Sequence, residues 1–205
     1  MDLSYNTGNI FPVPIHVFDI KDFKLYQKDL IDYAYTLKSK DVDTPNRSNV
    51  GGWQSRVFNL NNENDKLHSL LMECITSLPS LKKDINLYVK AWVNINSPGS
   101  LNVQHSHPGC DLSGVLWIKC PNECGNIFFH SPSCFETFQE IESYTEDFKN
   151  NNNYYHAYWF PPIEGRMLIF PSHLQHEVKK NLSNEDRISA SFNIKLENKR
   201  IVWLE

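Results

Sequence analysis

The sequence predicts a mainly β protein of the α+β class, in which two N-terminal helices pack on the outside of a double-stranded β-helix, a cupin-like jelly roll. Two segments with apolar residues at every third or fourth position come first, within residues 23–37 and 67–78. About eight segments with the two-residue alternation of strands follow them. Helices that precede a run of antiparallel strands favour a two-layer jelly roll with the helices on one outer face.

Length and charge limit the class of protein. The 205 residues suit one domain with a full core, so we expect a single domain over residues 1–205. A net charge of −4 argues against a protein dominated by binding to the nucleic-acid backbone. There is no apolar run of bilayer-spanning length and no signal peptide, so we expect no membrane partner. A homodimer is compatible with this sequence.

The cysteines indicate the compartment. An odd count of five, without a secretion signal, favours reduced thiols and a cytoplasmic location. Cys120 and Cys124 flank a turn and resemble half of a zinc site. Since no second cysteine pair completes such a site, we do not expect zinc there.

The N-terminal elements are predicted in order. Residues 10–18 read as an edge strand, because two prolines cannot donate to a ladder. The first helix leads into a polar loop over 38–52, the second stops at Pro79, and Trp53 is expected in the core.

The strand over residues 87–96 has two chemically different faces. Leu87, Val89, Ala91, Val93 and Ile95 share the apolar face. The other face is formed by Tyr88, Lys90, Trp92, Asn94 and Asn96. This second face either lines a wet pocket or faces solvent, and the strand alone does not decide between the two.

The remaining strands are predicted over residues 112–119, 126–130, 154–160, 166–170, 187–194 and 201–204. Residues 135–153 are polar and read as an inserted loop near the site or a substrate. In the segment 187–194, Arg187 and Ser189 share one face with Ser191 and Asn193.

Three histidines suggest a metal centre. His105 and His107 are two residues apart at the end of a strand-like run, which points both imidazoles to one face. His176, on a distant segment, can close one face of a metal and leave positions open for small molecules. Arg187 and Ser189, which follow it, carry donors that suit a carboxylate.

The chain resembles the 2-oxoglutarate/iron(II) oxygenases, and more narrowly a small family of hydroxylases with a His-x-His-Pro-Gly motif. The resemblance spans nearly the whole chain and rests on Phe11-Pro12-Val13-Pro14, Trp92-Val93-Asn94, His105-Ser106-His107-Pro108-Gly109 with Leu112-Ser113-Gly114, and Phe170-Pro171-Ser172 with His176-Glu177-Val178. One departure concerns the second ligand, which in the wider superfamily is the aspartate of His-x-Asp. Here that position is His107, so either the site has three histidines or Asp111 supplies the carboxylate.

The resemblance implies the cofactors and the reaction. Fe(II) would be held by His105, His107 and His176, and 2-oxoglutarate would chelate it while its far carboxylate meets Arg187 and Ser189. Asn94 is a candidate contact to the cosubstrate on strand parity alone. O2 would complete the reaction, which hydroxylates an unactivated C–H bond of a small-molecule or peptidyl substrate and yields succinate and CO2.

Two alternatives remain at this point. His173 lies three residues before His176, and His176 is preferred because its spacing to Arg187 matches the superfamily. A cupin-like metal-binding protein without oxygenase activity would also carry His-x-His and a distant histidine. Arg187 and Ser189 argue against it, because such a protein has no need of a carboxylate-binding arginine there.

Overall fold

The computed structural model describes residues 4–9, 11–41, 43, 47–60, 66–133 and 140–198. The helices in this part are α1 (Lys24–Lys40), α2 (Lys66–Thr76) and α3 (Glu146–Asn152), and a 3-10 turn covers Glu140–Ser143. The strands are β1 (His16–Asp19), β2 (Asn49–Val50), β3 (Trp53–Gln54), β4 (Phe58–Asn59), β5 (Ile85–Asn96), β6 (Leu101–His105), β7 (Leu112–Lys119), β8 (Ile127–His130), β9 (Ala157–Phe160), β10 (Arg166–Pro171), β11 (His176–Val178) and β12 (Arg187–Asn198).

The strands form two antiparallel sheets. The larger has the order β1-β10-β7-β12-β5-β3, with β4 also paired to β5, and the smaller has the order β2-β6-β11-β8-β9. Residues of both sheets meet in one apolar cluster, in which Trp117 and Phe170 of the larger sheet join Ile127 and Phe129 of the smaller. The predicted mainly β jelly roll of two layers is confirmed.

A second and larger core joins the helices to the larger sheet. Leu30 and Ala34 of α1 are buried in it, together with Leu71 and Ile75 of α2. The i, i+4 spacing of each pair places both side chains on one helix face. Burial of a side chain such as Leu71 is worth about 1.5–3 kcal/mol, so packing rather than helix propensity holds these helices in place.

The two longest strands, β5 and β12, pair with each other in the larger sheet. β5 and β12 pair along their whole length, with Ser189 opposite Asn94 and Ser191 opposite Trp92. The apolar alternation predicted for β5 is confirmed, because Val93 and Ile95 lie in the helix-covered core. The opposite face changes character along the strand: Asn94 and Asn96 are buried, whereas Tyr88 and Lys90 are exposed. The polar face of β5 is therefore directed to the interior at its C-terminal end and to solvent nearer its N-terminal end.

The first strand is shorter than predicted. It begins at His16 rather than at residue 10, because Pro12 and Pro14 cannot donate ladder hydrogen bonds and residues 11–15 stay outside the sheet. Its position at the edge, where it pairs only with β10 in the described part of the chain, agrees with the prediction. Residue 10 lies outside the described residues.

Two predicted loops contain regular structure. α1 extends to Lys40 and β2 occupies Asn49–Val50, both inside the predicted loop 38–52. Residues 140–153 hold the 3-10 turn and α3, because Thr145 caps that helix by accepting a hydrogen bond from the Phe148 N–H at 3.3 Å. The predicted strand over residues 201–204, and Cys134, lie outside the described residues.

Trp53 lies in the helix-covered core, as expected, and its Nε1 donates to the Asp41 carbonyl oxygen at 2.9 Å. Among the helices of the described segments, none combines the length and the apolar character that crossing a bilayer requires.

Candidate metal and cosubstrate site

The three predicted histidines come together between the sheets. His105 ends β6 and His176 begins β11, and the two residues are paired across the ladder. His107 lies two residues beyond the end of β6, so it belongs to the following turn and not to the strand. One nitrogen atom of each of the three imidazoles lies within 4.8 Å of the others, which is the spacing of ligands around one ion.

Backbone hydrogen bonds orient the imidazoles. The Nδ1 atom of His105 lies 2.8 Å from the Val103 carbonyl oxygen, and the Nδ1 atom of His176 lies 2.9 Å from that of Leu174. A carbonyl accepts only from a protonated nitrogen, so each Nε2 keeps a free lone pair for a metal. His107 is fixed through its backbone, since its N–H donates to the Ser172 carbonyl oxygen at 2.9 Å.

Burial keeps these histidines neutral. Desolvation lowers the pKa of His107 to about 4 and that of His176 to about 3, and in both cases the neighbouring His105 adds to the effect. Desolvation also lowers the pKa of His105. Neutral imidazoles are the form that binds divalent metals, so at neutral pH the cluster is ready to accept one.

The two alternative ligands lie elsewhere. His173 is exposed, whereas His176 is 4% exposed. The Asp111 carboxylate accepts a hydrogen bond from the Leu196 N–H at 2.8 Å and pairs with Lys195 at 3.1 Å. The hydrogen bond from Leu196 lowers the pKa of Asp111. This carboxylate is therefore engaged by the far part of β12.

Arg187 is a buried cation without an anionic partner in the described chain. It is 1% exposed, and its Nη1 donates to the carbonyl oxygens of Cys124 and, at 3.1 Å, Lys179. Its Nε and Nη2 have no hydrogen-bond partner among the described residues. Desolvation lowers the pKa of Arg187 to about 10, so the guanidinium is still charged at neutral pH. Burial of an unpaired charge costs free energy, so we expect an anionic ligand to bind beside this guanidinium.

Histidines and arginine open into the same cavity, whose empty volume is about 480 Å³ with its mouth included. Asn94 donates from Nδ2 to the Ser191 hydroxyl at 3.0 Å, which leaves its Oδ1 without a partner in the described chain. The Trp117 Nε1 is likewise unpartnered there. The lining consists of Ser48, Trp92, Asn94, Asn102, His105, His107, Gly114, Val115, Trp117, Ile127, Phe170, His176, Val178, Arg187, Ser189 and Ser191.

Trp117 and Ser191 are among the lining residues that the sequence did not single out as site residues. Trp117 lines the cavity, and the Arg187 guanidinium carbon lies 6.0 Å from the centroid of its ring. Parity on 112–119 places Trp117 on one face with Val115, but parity alone does not say which face is the inner one. Ser191 shares the Arg187 face, and its bond to Asn94 depends on the pairing of two distant strands.

The donor set fits a metal and a dicarboxylate. Three imidazoles occupy one side of an ion and leave the other side open, and two free N–H groups of a guanidinium can hold a carboxylate. A jelly roll that encloses such a cavity is typical of non-haem iron oxygenases. The chain belongs to the family described as "Putative 2OG-Fe(II) oxygenase", whose model matches residues 90–193, half of the chain. It is an enzyme that uses Fe(II), 2-oxoglutarate and O2.

Solved structures share the fold at low sequence identity. A Pseudomonas putida prolyl-4-hydroxylase is 11% identical and has a TM-score of 0.62, with 88% of this chain and 91% of that chain covered. A Trichoplax adhaerens prolyl hydroxylase in complex with a hypoxia inducible factor peptide fragment is 15% identical, with a TM-score of 0.57 and coverage of 88% and 83%. HygX from Streptomyces hygroscopicus, with nickel and 2-oxoglutarate bound, is 10% identical, with a TM-score of 0.55 and coverage of 89% and 83%. No curated protein matches the sequence.

Proposed function

We propose that His105, His107 and His176 ligate the iron(II), and that Arg187 and Ser189 bind the far carboxylate of 2-oxoglutarate. The observation that carries this proposal is the joint geometry of the cavity. Three imidazole nitrogens converge within 4.8 Å, and the same cavity holds a buried arginine with two unpartnered donor atoms. A metal ion would bind the three converging nitrogens, and a carboxylate would pair with the unpartnered donors of the arginine.

The chain's own residues bind and orient the reactants. When bound, iron(II) and 2-oxoglutarate supply the oxidising chemistry, which reduces O2, releases succinate and CO2, and hydroxylates a C–H bond. Arg187 fixes one end of the cosubstrate, and the Ser189 hydroxyl, which lines the same cavity, offers a second donor to it. Apolar walls from Val115, Trp117 and Phe170 exclude water from the reacting atoms.

The substrate we propose is a small molecule or a peptidyl group hydroxylated at an unactivated carbon. The cavity wall near His107 favours an approach over Trp92, whose ring centroid lies 5.8 Å from that of His107. Trp92 is half-buried and lines the cavity, so it offers a flat apolar surface beside the metal position. One similar structure is of a prolyl hydroxylase with a peptide bound, which makes a peptidyl group a reasonable first probe.

Several finer features belong to the same proposal. We place the chain in the narrower group of hydroxylases with the His-x-His-Pro-Gly motif, here His105 to Gly109. We propose one domain over residues 1–205, with α1 and α2 on its outer face, a cytoplasmic location and a homodimer. The burial of Leu30 and Leu71 against the larger sheet supports the position of the helices.

The experiment is succinate formation from 2-oxoglutarate by the purified protein with iron(II) and oxygen, with and without pooled metabolites and proline-containing peptides. We expect slow succinate formation that requires iron and rises with a substrate pool. His173→Ala is the matched control, because it removes an exposed histidine three residues from His176 and should keep the activity. Bound metal without any iron-dependent succinate would contradict the proposal and favour a cupin-like metal protein without oxygenase activity.

A further inference from the structure

Trp117 carries a buried donor that the proposed function leaves unused. It is 1% exposed, and its Nε1 has no hydrogen-bond partner in the described part of the chain. The same residue lines the cavity of the three histidines and Arg187. Folded proteins leave few buried N–H groups unsatisfied, because each one costs free energy. An unpartnered donor in a cavity wall therefore indicates that a ligand supplies the acceptor.

Strand pairing places Trp117 beside the residues proposed to bind the far carboxylate. Ser189 on β12 is the direct partner of Trp117 on β7 and of Asn94 on β5. Direct partners in antiparallel strands point to the same face of a sheet, so these three side chains form one row across the cavity wall. Arg187 lies two residues before Ser189 and lines the same cavity.

The unpartnered donors lie on one side of this row. The Arg187 guanidinium carbon is 6.0 Å from the centroid of the Trp117 ring, and the guanidinium has two unpartnered nitrogens, Nε and Nη2, among the described residues. On the other side of Ser189, the unpartnered atom of Asn94 is an acceptor, Oδ1. A carboxylate has about four lone-pair sites, more than the two donors of Arg187 can fill. A carboxylate paired with Arg187 can therefore also accept from an indole N–H.

A purely structural role of the indole is the alternative. Trp117 packs with Val115 and Phe170 in the apolar cluster between the sheets, and its ring lies near the guanidinium of Arg187. Neither contact uses Nε1. Phenylalanine keeps an aromatic ring at this position and removes the N–H, so Trp117→Phe distinguishes the two roles.

We propose that the Trp117 Nε1–H donates a hydrogen bond to the far carboxylate of 2-oxoglutarate, and that Trp117 thereby favours a dicarboxylate over a 2-oxo acid with an uncharged end. This inference rests on the proposed function of Arg187 and adds a cosubstrate-binding residue from a second strand. Trp117 acts on cosubstrate binding alone, since the proposed metal ligands are the three histidines.

The first measurement is ligand affinity by calorimetry on the full chain, with manganese(II) in place of iron. The two ligands are 2-oxoglutarate and 2-oxopentanoate, in which a methyl group replaces the far carboxylate. We expect Trp117→Phe to bind 2-oxoglutarate about tenfold more weakly or worse, as for the loss of a hydrogen bond to a charged group, and 2-oxopentanoate as wild type does. Trp159→Phe is the matched control and should bind both ligands normally, because this exposed tryptophan on β9 lies outside the cavity lining.

The second measurement observes the donor itself and needs no substitution, so it stands even where Trp117→Phe fails to fold. Indole ¹H–¹⁵N signals of the zinc(II)-loaded wild-type protein are recorded with and without each ligand. We expect 2-oxoglutarate to move the Trp117 Nε1–H proton signal downfield, because a charge-assisted hydrogen bond deshields the proton. Saturation with 2-oxopentanoate should not produce this shift.

The outcomes separate this inference from the proposed function. A Trp117 indole signal that 2-oxoglutarate leaves in place overturns the inference, as does unchanged 2-oxoglutarate affinity in Trp117→Phe. An equal loss of affinity for both ligands also overturns it, since the indole would then only shape the cavity. In all three cases the proposed function survives if Arg187→Ala loses 2-oxoglutarate binding. If Arg187→Ala binds 2-oxoglutarate as tightly as wild type does, the proposed function of Arg187 fails and this inference fails with it.

Discussion

His105 and His176 are direct partners across the antiparallel pair β6 and β11, and their ring centroids lie 4.3 Å apart. Each imidazole is fixed in the same way, by a hydrogen bond from Nδ1 to the carbonyl oxygen two residues earlier. Two of the three converging nitrogens are thus positioned by the ladder itself. The third comes from His107, in the turn that follows β6.

Replacing Arg187 should separate cosubstrate binding from metal binding. We expect Arg187→Ala to lose about 2–5 kcal/mol of 2-oxoglutarate binding free energy, because it removes the only buried cation that lines the cavity among the described residues. Metal content should not change. Calorimetry checks this, with Arg166→Ala as the control because Arg166 pairs with Asp19 outside the cavity. Equal affinities for wild type and Arg187→Ala would exclude this role.

A methyl group at Gly125 should disturb Arg187 through the Lys179 carbonyl oxygen, which accepts a hydrogen bond from its guanidinium. The residue has a φ of 94°, and the new Cβ would meet the Lys179 carbonyl oxygen that holds Arg187. We expect Gly125→Ala to lower the free energy of unfolding by about 1–3 kcal/mol and to weaken 2-oxoglutarate binding.

Gly99→Ala is the control that separates the effect of a positive φ from the effect of the contact with the Lys179 carbonyl oxygen. Gly99 also has a positive φ, of 86°, but a Cβ there meets only the Lys180 Cε at 3.7 Å. Urea unfolding should therefore show a smaller loss of stability, and cosubstrate binding should persist. Equal losses in both variants would mean that the contact with Lys179 has no effect of its own.

The sequence predicts those parts of the fold and site that depend on short-range pattern. Strand alternation places Arg187 and Ser189 on one face, and the helical spacing of Leu67, Leu71 and Ile75 marks a buried face. The cavity confirms that Arg187 and the three histidines lie together, while their roles as ligands stay predictions.

Other features depend on contacts that no local pattern encodes. The turn position of His107, the orphaned Nε1 of Trp117 and the bond from Arg187 to the Cys124 carbonyl oxygen follow from backbone path and remote pairing. The capped helix α3 was missed because a polar segment with one Thr145 cap has no apolar stripe. The shorter β1 could have been predicted, because Pro12 and Pro14 have no N–H to donate to a ladder.

The metal-free protein should lose stability in mildly acidic solution. The folded pKa values of His107 and His176 lie near 4 and 3, below the ordinary histidine value of 6.5. Between the folded pKa values and 6.5, the unfolded chain therefore binds more protons than the folded protein. The free energy of unfolding is highest above about pH 6.5 and falls as the pH drops towards 4. The pKa of Asp111 is lowered from 3.8, so protonation of this carboxylate reduces the free energy of unfolding only at lower pH.

Urea unfolding from pH 7 to pH 4 measures this dependence. We expect His176→Gln to flatten the slope, whatever its effect on absolute stability. A wild-type slope that the substitution leaves unchanged would show that this histidine is not buried in its neutral form.

Metal content in two single variants tests the three-histidine site most directly. The iron-loaded proteins are dialysed at neutral pH against a weak chelator and analysed for iron by elemental analysis. His107→Ala removes one of three converging nitrogens and should lose the metal, whereas Asp111→Asn changes a carboxylate bound to Leu196 and Lys195 and should keep it. His107→Asp, with its shorter reach, should bind iron weakly. Iron retained by His107→Ala and absent from Asp111→Asn would contradict the three-histidine site and assign the third ligand to Asp111.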